Sequence, residues 1–187
     1  MAGLRARLKK TVVLVGMMGA GKTAVGKALA ARLDVPFLDS DEEIVIAADR
    51  SIAEIFERDG EAFFRDREAE VIKRLLHEEC GILSTGGGAY LADRNRTAIS
   101  KDGVAIWLRA DLDLLWARVR HKSSRPLLQT ENPFETLRGL YEARDQFYAK
   151  AELAVQCHAS YSIEEMATEV IKVLKTRPDV MEIPEND

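Results

Sequence analysis

A glycine-rich loop between an apolar segment and a helix-like segment is the feature that most restricts the fold of this chain. Residues 16–23 read Gly-Met-Met-Gly-Ala-Gly-Lys-Thr, which matches the pattern G-x-x-x-x-G-K-[ST]. Thr11–Val15 before it is an apolar, β-branched run of strand length, and Thr23–Leu33 after it places apolar side chains on one helical face. Strand, glycine loop and helix in this order predict a phosphate-binding turn.

The loop and the helix after it carry the groups that bind the phosphates of a nucleotide. Glycine permits the close backbone approach that lets N–H groups point at phosphate oxygens, and a helix N-terminus favours anions. We expect Lys22 to reach the β- and γ-phosphates and the Thr23 hydroxyl to bind Mg²⁺. The nucleotide-binding residues predicted in this segment are Gly19, Ala20, Gly21, Lys22, Thr23 and Ala24.

The composition is that of a single globular domain. The chain has 187 residues, of which 47% are hydrophobic and 31% charged, enough for one buried core and short for two. A net charge of −4 gives no support for a nucleic-acid partner, and no apolar run approaches the ~20 residues of a transmembrane helix, so no membrane partner is expected. Cys80 and Cys157 lack metal-ligand spacing, which favours a cytoplasmic protein with reduced thiols.

Apolar strands alternate with amphipathic helices, which predicts a three-layer α/β domain with a parallel sheet. The predicted strands are Thr11–Val15, Pro36–Leu38, Gly81–Ser84, Val104–Leu108 and Ala154–Cys157. The predicted helices are Thr23–Leu33, a short one from Ser51 to Gly60, Glu61–Glu78, one that begins at Asp111, Pro133–Lys150 and Ile163–Leu174.

Three segments differ in composition from the rest of the chain. Residues 1–10 are basic, and we expect a frayed extension there. His121–Asn132 is polar and lies between two helices, which predicts a mobile lid at about residues 118–132. Residues 176–187 hold two prolines and mostly polar side chains, which predicts a disordered tail. The domain is expected to span residues 11–175, with its substrate-binding region at about residues 39–75.

Two carboxylates, Asp39 and Asp41, follow the second predicted strand. Ligands of open parallel sheets bind beyond the carboxyl ends of the strands, so these groups are expected to face the γ-phosphate. One could hold a water on Mg²⁺ and the other could accept a proton from an attacking hydroxyl. The alternative is a helix N-cap, where Asp and Ser are favoured. The third strand ends without the Asp that often binds Mg²⁺ in nucleotide hydrolases, so that role falls to Asp39.

Arginines and consecutive glycines are further candidates for a substrate site. Arg65 lies either on a solvated helix face or at an anionic substrate group. Gly86-Gly-Gly88 after the third strand indicates close backbone approach to a ligand or another segment, with a flexible turn as the alternative. Arg125 in the predicted lid is a phosphate contact or a plain loop charge. Arg144 could instead be a surface arginine in a salt bridge, but this alternative is weak because its acidic neighbours are one and two residues away, spacings that do not face each other on a helix.

Together these motifs resemble those of the shikimate kinase family, in order and at about the family's spacings. The resemblance rests on Gly-Met-Met-Gly-Ala-Gly-Lys-Thr at 16–23, Asp-Ser-Asp at 39–41, Phe-Arg-Asp-Arg-Glu at 64–68, Thr-Gly-Gly-Gly at 85–88, Arg-Pro-Leu-Leu at 125–128 and Leu-Tyr-Glu-Ala-Arg at 140–144. It implies a P-loop kinase fold like that of nucleoside monophosphate kinases, with a five-stranded parallel sheet, flanking helices and a mobile lid. It also implies a monomer that uses ATP and Mg²⁺ to phosphorylate the 3-hydroxyl of shikimate in aromatic amino-acid biosynthesis.

The resemblance also assigns roles to residues of this sequence. Asp41 would hydrogen-bond the hydroxyls of shikimate, and the other substrate-binding residues would be Arg65, Gly86, Gly87, Gly88 and Arg144. The catalytic residues would be Lys22, Asp39, Asp41 and Arg125, with Thr23 and Asp39 serving the metal. Besides the glycine loop, the nucleotide would contact Arg118, Arg125 and Ser160.

The segment Cys157-His-Ala-Ser-Tyr-Ser162 departs from the family's pattern, because family members often carry an Asp-rich or Pro-containing adenine loop there. Two other functions are alternatives to the shikimate kinase interpretation. One is a gluconate kinase-like enzyme of the same fold, and the other is a catalytically silent relative that only binds ligands. The silent alternative is disfavoured because the catalytic and arginine positions of the resemblance are intact in this chain.

Overall fold

A computed structural model gives the fold of this protein and describes residues 6–78, 80–121 and 129–184. The strands are β1 (Arg7–Leu8), β2 (Thr11–Val15), β3 (Phe37–Asp39), β4 (Ile82–Ser84), β5 (Gly103–Arg109), β6 (Leu153–Gln156) and β7 (Met181–Glu182). The helices are α1 (Lys22–Leu33), α2 (Ser40–Ala48), α3 (Ile52–Glu78), α4 (Asp93–Asp102), α5 (Leu112–Val119), α6 (Pro133–Tyr148) and α7 (Ile163–Leu174), with a 3₁₀ turn at Ala89–Leu91.

Five of the strands form the central sheet, in the order β3-β4-β2-β5-β6 and all parallel. The central strand β2 is buried along its whole length, as its run of Val and Leu predicts for a strand covered on both faces. The chain leaves β2 toward β3 on one side and later adds β5 on the other. The crevice for a ligand in such a sheet lies where the connections diverge. The predicted fold class is therefore confirmed.

Helices cover the sheet and build the hydrophobic core with it. α1 packs against α7, β3 and β4, whereas α4 packs against α3 and β5. Helix α1 begins directly after Gly21, whose φ of 97° lies in the left-handed region. Gly16 and Gly19 also have positive φ, at 146° and 84°. The glycines of the loop are thus required by its backbone, as the sequence predicts.

Two helices were not predicted individually from the sequence. α2 begins right after Asp39, and α4 contains mainly polar residues. The helices predicted on either side of Gly60 are both present as the two arms of α3, and they meet at a kink where Gly60 is non-helical (φ 85°, ψ 171°). A positive φ of this kind favours glycine, so Gly60 separates the two arms as the sequence predicts.

The two ends of the chain pair with each other, in contrast to the frayed extension and disordered tail expected from the sequence. β1 and β7 form an antiparallel pair, in which Arg7 lies opposite Glu182 and Leu8 opposite Met181. Val180 and Met181 are buried, and the Lys9 amide donates to the Val180 carbonyl at 2.7 Å. The prediction of disorder is wrong for residues 176–184, because two apolar side chains in a polar tail suffice to anchor it. Residues 1–5 and 185–187 lie outside the described residues.

Across the described parts of the chain, every helix is too short or too polar to cross a membrane.

Candidate active site

A cleft of about 610 Å³ opens at the carboxyl ends of the parallel strands. Its lining joins the glycine loop and first turn of α1 to the ends of β3 and β4 and to the start of α7. The residues along it are Met18, Gly19, Ala20, Gly21, Lys22, Thr23, Ala24, Val25, Asp39, Asp41, Ser84, Thr85, Gly86, Gly87, Arg118, Tyr161, Ser162, Ile163 and Met166. The predicted phosphate loop and both predicted carboxylates therefore share one cavity.

Two cations lie on the carbonyl oxygens of the glycine loop. The Lys22 ammonium donates to the carbonyls of Gly16 at 2.7 Å and Met17 at 3.0 Å. The Arg118 guanidinium, on α5, donates to the carbonyls of Gly19 at 3.0 Å and Ala20 at 3.2 Å. Positive charge is thereby concentrated where phosphate oxygens would bind, which is the electrostatic requirement of a nucleotide site.

Thr23 and Asp39 both supply oxygen atoms to the cleft. Thr23 is exposed in the first turn of α1, whereas Asp39 ends β3 and lies in register with Ser84, the last residue of β4. Asp39 is also the N-cap of α2, since its Oδ1 accepts from the amides of Asp41 at 2.9 Å and Glu42 at 3.2 Å. The N-cap alternative and the proposed metal role are thus compatible in one residue.

This pair of oxygen donors fits Mg²⁺. Mg²⁺ is usually held by one or two protein oxygens together with waters and substrate phosphates, rather than by a complete protein cage. The described residues contain no cluster of three or more His, Cys, Asp or Glu side chains that could hold a metal by themselves.

Asp41, at the start of α2, is a partly buried carboxylate with a raised pKa. Burial is the main cause, and the negative charge of Asp39 adds to it. Lys22 and Arg65 oppose the shift, which shows that Asp41 lies within electrostatic reach of both halves of the cleft. Perturbed carboxylates in clefts are frequent at functional sites.

The three glycines at 86–88 each face a different charged side chain. A methyl group added at Gly86 would lie 2.9 Å from Asp41 Oδ1, and one at Gly87 would lie 2.9 Å from Arg144 Nη1. At Gly88 the added methyl would lie 2.5 Å from Arg65 Nη2. Four separate elements, α2, α3, α6 and the turn after β4, therefore meet here. The predicted close approach of this backbone to another segment is present in the structure.

A buried acid on the same helix, Glu68, binds the Arg65 side chain. The Arg65 guanidinium donates to Glu68 Oε1 at 2.9 Å and lies 5.3 Å from the Phe64 ring centre, while Glu68 itself is only 1% exposed. Burial raises the pKa of Glu68, and the charge and hydrogen bond of Arg65 oppose that rise. Arg65 Nε also lies 3.6 Å from Glu61 Oε1, so two acids of α3 orient the guanidinium. The sequence contains Arg65 and Glu68 at helical i,i+3 spacing, which is the signal that could have identified Glu68.

Tyr148, the last residue of α6, is a second contributor that the sequence reasoning did not single out. Its hydroxyl donates to the Gly87 carbonyl at 2.6 Å, and a methyl group added at Gly87 would lie near both this hydroxyl, at 3.7 Å, and Arg144 Nη1, at 2.9 Å. The spacing of four residues from Arg144 predicts a shared helix face, but the contact with Gly87 depends on the folded chain.

The far end of the cleft, beyond the glycine loop, is more apolar. Tyr161, Ile163 and Met166 line it together with Arg118. The Tyr161 ring lies 4.6 Å from the His158 ring, and Tyr161 and Ile163 remain largely exposed. Ser160, predicted to contact adenine, is exposed just before this lining. The neighbours of Ser160 therefore contribute the surface of the cleft.

Arg125, and with it the central part of the predicted lid, lies outside the described residues. The role expected of Arg125 stays a prediction, as does mobility of the lid.

A phosphate loop at the switch point of a five-stranded parallel sheet, with carboxylates and arginines across the cleft, defines a P-loop kinase. Residues 18–175 match the sequence profile of the family described as shikimate kinase. Shikimate kinase of Cereibacter sphaeroides is 63% identical over 96% of this chain and 90% of its own length, and that of Ruegeria pomeroyi is 63% identical over 97% and 93%. The solved structure of "Shikimate kinase from Acinetobacter baumannii in complex with shikimate" superposes with a TM-score of 0.83, at 36% identity, over 89% of this chain and 93% of that chain.

The chain therefore belongs to the shikimate kinase family. It is a kinase, a transferase that takes its phosphoryl group from ATP.

Proposed function

We propose that this protein transfers the γ-phosphoryl group of ATP to the 3-hydroxyl of shikimate, giving shikimate 3-phosphate and ADP. The observation that carries the proposal is the convergence of Asp41, Arg65 and Arg144 on the glycine turn at 86–88, beside the phosphate loop. One carboxylate and two guanidinium groups match a small polyhydroxylated acid, since arginines bind carboxylates and Asp accepts from hydroxyls.

The acceptor half of the cleft positions the substrate. Arg65 and Arg144 approach the turn from two different helices, so they can hold one carboxylate from two directions. Asp41 lies at the other end of the turn, within electrostatic reach of Lys22, and would orient the hydroxyl that receives the phosphoryl group. Holding the acceptor in line with the γ-phosphate supplies much of the catalysis in phosphoryl transfer.

The donor half of the cleft neutralises charge. The backbone amides of residues 19–24 would surround the β-phosphate. Lys22 and Arg118 would exchange their contacts with loop carbonyls for contacts with the nucleotide. Arg125 would add a positive charge from the lid. Arg118 and Tyr161 flank the apolar end of the cleft, where a planar base can stack.

The proposal includes Mg²⁺, which Thr23 would bind directly and Asp39 would hold through a water. When bound, the ion would neutralise charge on the phosphates. Thr23 and Asp39 both line the cleft and would orient it there.

We assign Asp41 an orienting role with late proton transfer. The transition state of phosphoryl transfer is loose, so the attacking hydroxyl keeps its proton until bond formation is advanced. The raised pKa of Asp41 leaves the carboxylate able to accept that proton at the end of the reaction.

The proposal is tested by measuring ADP formation with shikimate, gluconate and nucleoside monophosphates as acceptors, and by identifying the product by mass spectrometry and phosphorus NMR. Shikimate-dependent turnover is expected, and Lys22→Ala should lose roughly 10²-fold or more in kcat because a charge that stabilises the transition state is removed. Turnover with gluconate but not shikimate would establish the gluconate kinase alternative. Binding of ATP without turnover of any acceptor would establish the silent one.

A cytoplasmic monomer is the expected form, since the residues of both half-sites lie on one chain. Light scattering of the purified protein at working concentration tests the monomer, and cell fractionation tests its location.

A further inference from the structure

Tyr148 connects two parts of the substrate site that come from distant points of the sequence. Its hydroxyl donates to the Gly87 carbonyl at 2.6 Å. Arg144, one turn earlier in α6, reaches the same glycine, since a methyl group added at Gly87 would lie 2.9 Å from Arg144 Nη1 and 3.7 Å from the Tyr148 hydroxyl oxygen. A phenol has one proton and can accept as well as donate, so the hydroxyl that donates to Gly87 can also accept from the Arg144 guanidinium. Burial raises the pKa of Tyr148 above its usual 10.0, so the hydroxyl keeps the proton that it donates to Gly87.

The aromatic ring of Tyr148 is anchored independently of its hydroxyl. The residue is 1% exposed, and its ring centre lies 6.3 Å from that of Trp107 in β5. Removal of the hydroxyl alone would therefore leave the packing of the ring in place.

The neighbouring residue, Phe147, fastens the same end of α6 to the turn after the glycines. Arg96 donates to the carbonyls of Tyr90 and Leu91, both at 2.8 Å, and its guanidinium lies 5.5 Å from the Phe147 ring centre. The end of α6 is thus held against the glycine turn by two adjacent side chains, of which Tyr148 bonds directly to the glycine backbone.

We propose that Tyr148 is a positioning residue for the acceptor site, which fixes the Arg144 guanidinium and the Gly87 backbone at the separation that receives the substrate carboxylate. The inference rests on the proposed function, because it assigns Tyr148 to that same site. Arginine has many rotamers, and binding a carboxylate requires that one of them be selected. A hydrogen bond that selects it beforehand lowers the entropy lost on binding.

The proposal predicts a selective effect on shikimate binding. Tyr148→Phe should raise the KM for shikimate roughly 5- to 30-fold, as expected for loss of one or two ordinary hydrogen bonds. The kcat and the KM for ATP should stay within about twofold, because the reacting hydroxyl and the phosphate loop are not touched. A purely structural role would instead lower thermal stability or the fraction of active enzyme, without a selective change in this KM.

The experiment compares the wild type with Tyr148→Phe, Arg144→Ala and the double variant in steady-state assays, with thermal unfolding measured for each. Tyr141→Phe serves as the control, because it removes a hydroxyl from the same helix where the neighbouring charges are Asp145, Asp111 and Arg109 rather than Arg144. If Tyr148 acts through Arg144, its substitution should add little to the KM in the Arg144→Ala background.

Two results would overturn the inference while leaving the proposed function intact: an unchanged shikimate KM in Tyr148→Phe, or fully additive effects in the double variant. Direct titration of shikimate by calorimetry with both variants gives the same comparison without turnover. A wild type that neither binds nor phosphorylates shikimate would overturn the proposed function itself, and the positioning role with it.

Discussion

The protonation state of Asp41 connects the electrostatics of a single residue to the pH dependence of the enzyme. Burial and the charge of Asp39 both raise the pKa of Asp41 from its ordinary 3.8. Asp41 must be ionised to accept from the substrate hydroxyls, so protonation on acidification should remove productive binding. We expect kcat/KM for shikimate to fall, as pH is lowered, at a pH clearly above 3.8. A pH profile, with recovery of activity after return to neutral pH as the control, tests this. A fall in kcat/KM that occurs only at pH 3.8 or below would contradict this prediction.

The raised pKa of Asp41 also predicts whether this residue stabilises or destabilises the fold. The pKa of Asp41 is higher in the folded protein than in the unfolded chain, so the folded protein binds this proton more tightly. The ionised carboxylate therefore destabilises the fold at neutral pH. This destabilisation is lost as pH falls from the raised pKa of the folded protein toward the lower pKa of the unfolded chain, because Asp41 becomes protonated. Asp41→Asn should raise the urea midpoint at neutral pH while it abolishes activity. A midpoint lower than that of the wild type would show that contacts with Lys22 and Arg65 outweigh burial.

Arg144 is predicted to bind the carboxylate, which is remote from the reacting hydroxyl. Arg144→Ala should raise the KM for shikimate roughly 10- to 100-fold, the range for loss of a hydrogen bond between charged groups, with a smaller change in kcat. Arg138→Ala is a matched control, because Arg138 lies on the same helix but is exposed and paired with Glu135 at 2.6 Å. An unchanged KM in Arg144→Ala would show that Arg144 does not hold the carboxylate.

At the scale of an element, the turn at residues 86–88 requires glycine because of its neighbours rather than its backbone. Gly88 has φ −89° and ψ −11°, a conformation open to any residue. The three atoms nearest to an added methyl group all belong to the Arg65 guanidinium, the far end of a flexible side chain that can move away. Gly88→Ala should therefore fold normally but displace Arg65, raising the KM for shikimate several-fold.

The control for this substitution is Gly139→Ala in α6. An added methyl group at Gly139 would meet nothing within 4 Å. The change should leave kinetics unaltered and stabilise the protein by up to about 1 kcal/mol, because alanine is the better helix former. Steady-state kinetics and urea unfolding of both variants test the pair. Equal KM values for Gly88→Ala and wild type would show that Arg65 does not need its observed position.

Local sequence signals were sufficient for the five strands of the central sheet, the glycine loop and α7, but not for β1, β7 or every helix. α7 has a regular apolar face and a Ser162–Glu165 capping box, both readable from sequence. In α4 the buried residues are only Asn95 and Ile99, so hydrophobic periodicity gives no signal there. In α2 consecutive apolar residues hide the period, since Ile44 is buried while Ile46 is 71% exposed.

The candidate site shows the same division between local and long-range information. The motif around Lys22 binds phosphate through its own backbone, so the sequence predicts it directly. The partners of the triple glycine come from α2, α3 and α6, and their meeting depends on how those helices pack. Resemblance to a family supplied the roles of Arg65 and Arg144, whereas physical reasoning from the sequence left alternatives open for both.

At the scale of the whole molecule, the cleft and the pairing of the two chain ends lie at opposite ends of the sheet. The cleft lies at the carboxyl ends of the strands, whereas the β1–β7 pair precedes β2 at its amino end. This terminal pair lies outside residues 18–175, the part that matches the family profile. Its ion pairs, such as Lys9–Glu182 at 3.6 Å, are exposed, so burial of Leu8, Val180 and Met181 should provide most of its stability.

Substitution at Val180 tests whether packing of the tail stabilises the entire domain. Val180 is fully buried, and Val180→Ala removes two methyl groups' worth of apolar contact and leaves a small cavity. The free energy of unfolding should fall by about 1–3 kcal/mol, whereas Glu182→Gln, which breaks only the exposed pair with Lys9, should change it by less than about 0.5 kcal/mol. Urea unfolding measures both variants, and kcat and KM at 25 °C should match the wild type because the cleft is at the other end of the sheet. Equal stability of Val180→Ala and wild type would mean that the tail detaches without loss to the core, and that the antiparallel pair contributes nothing to the domain.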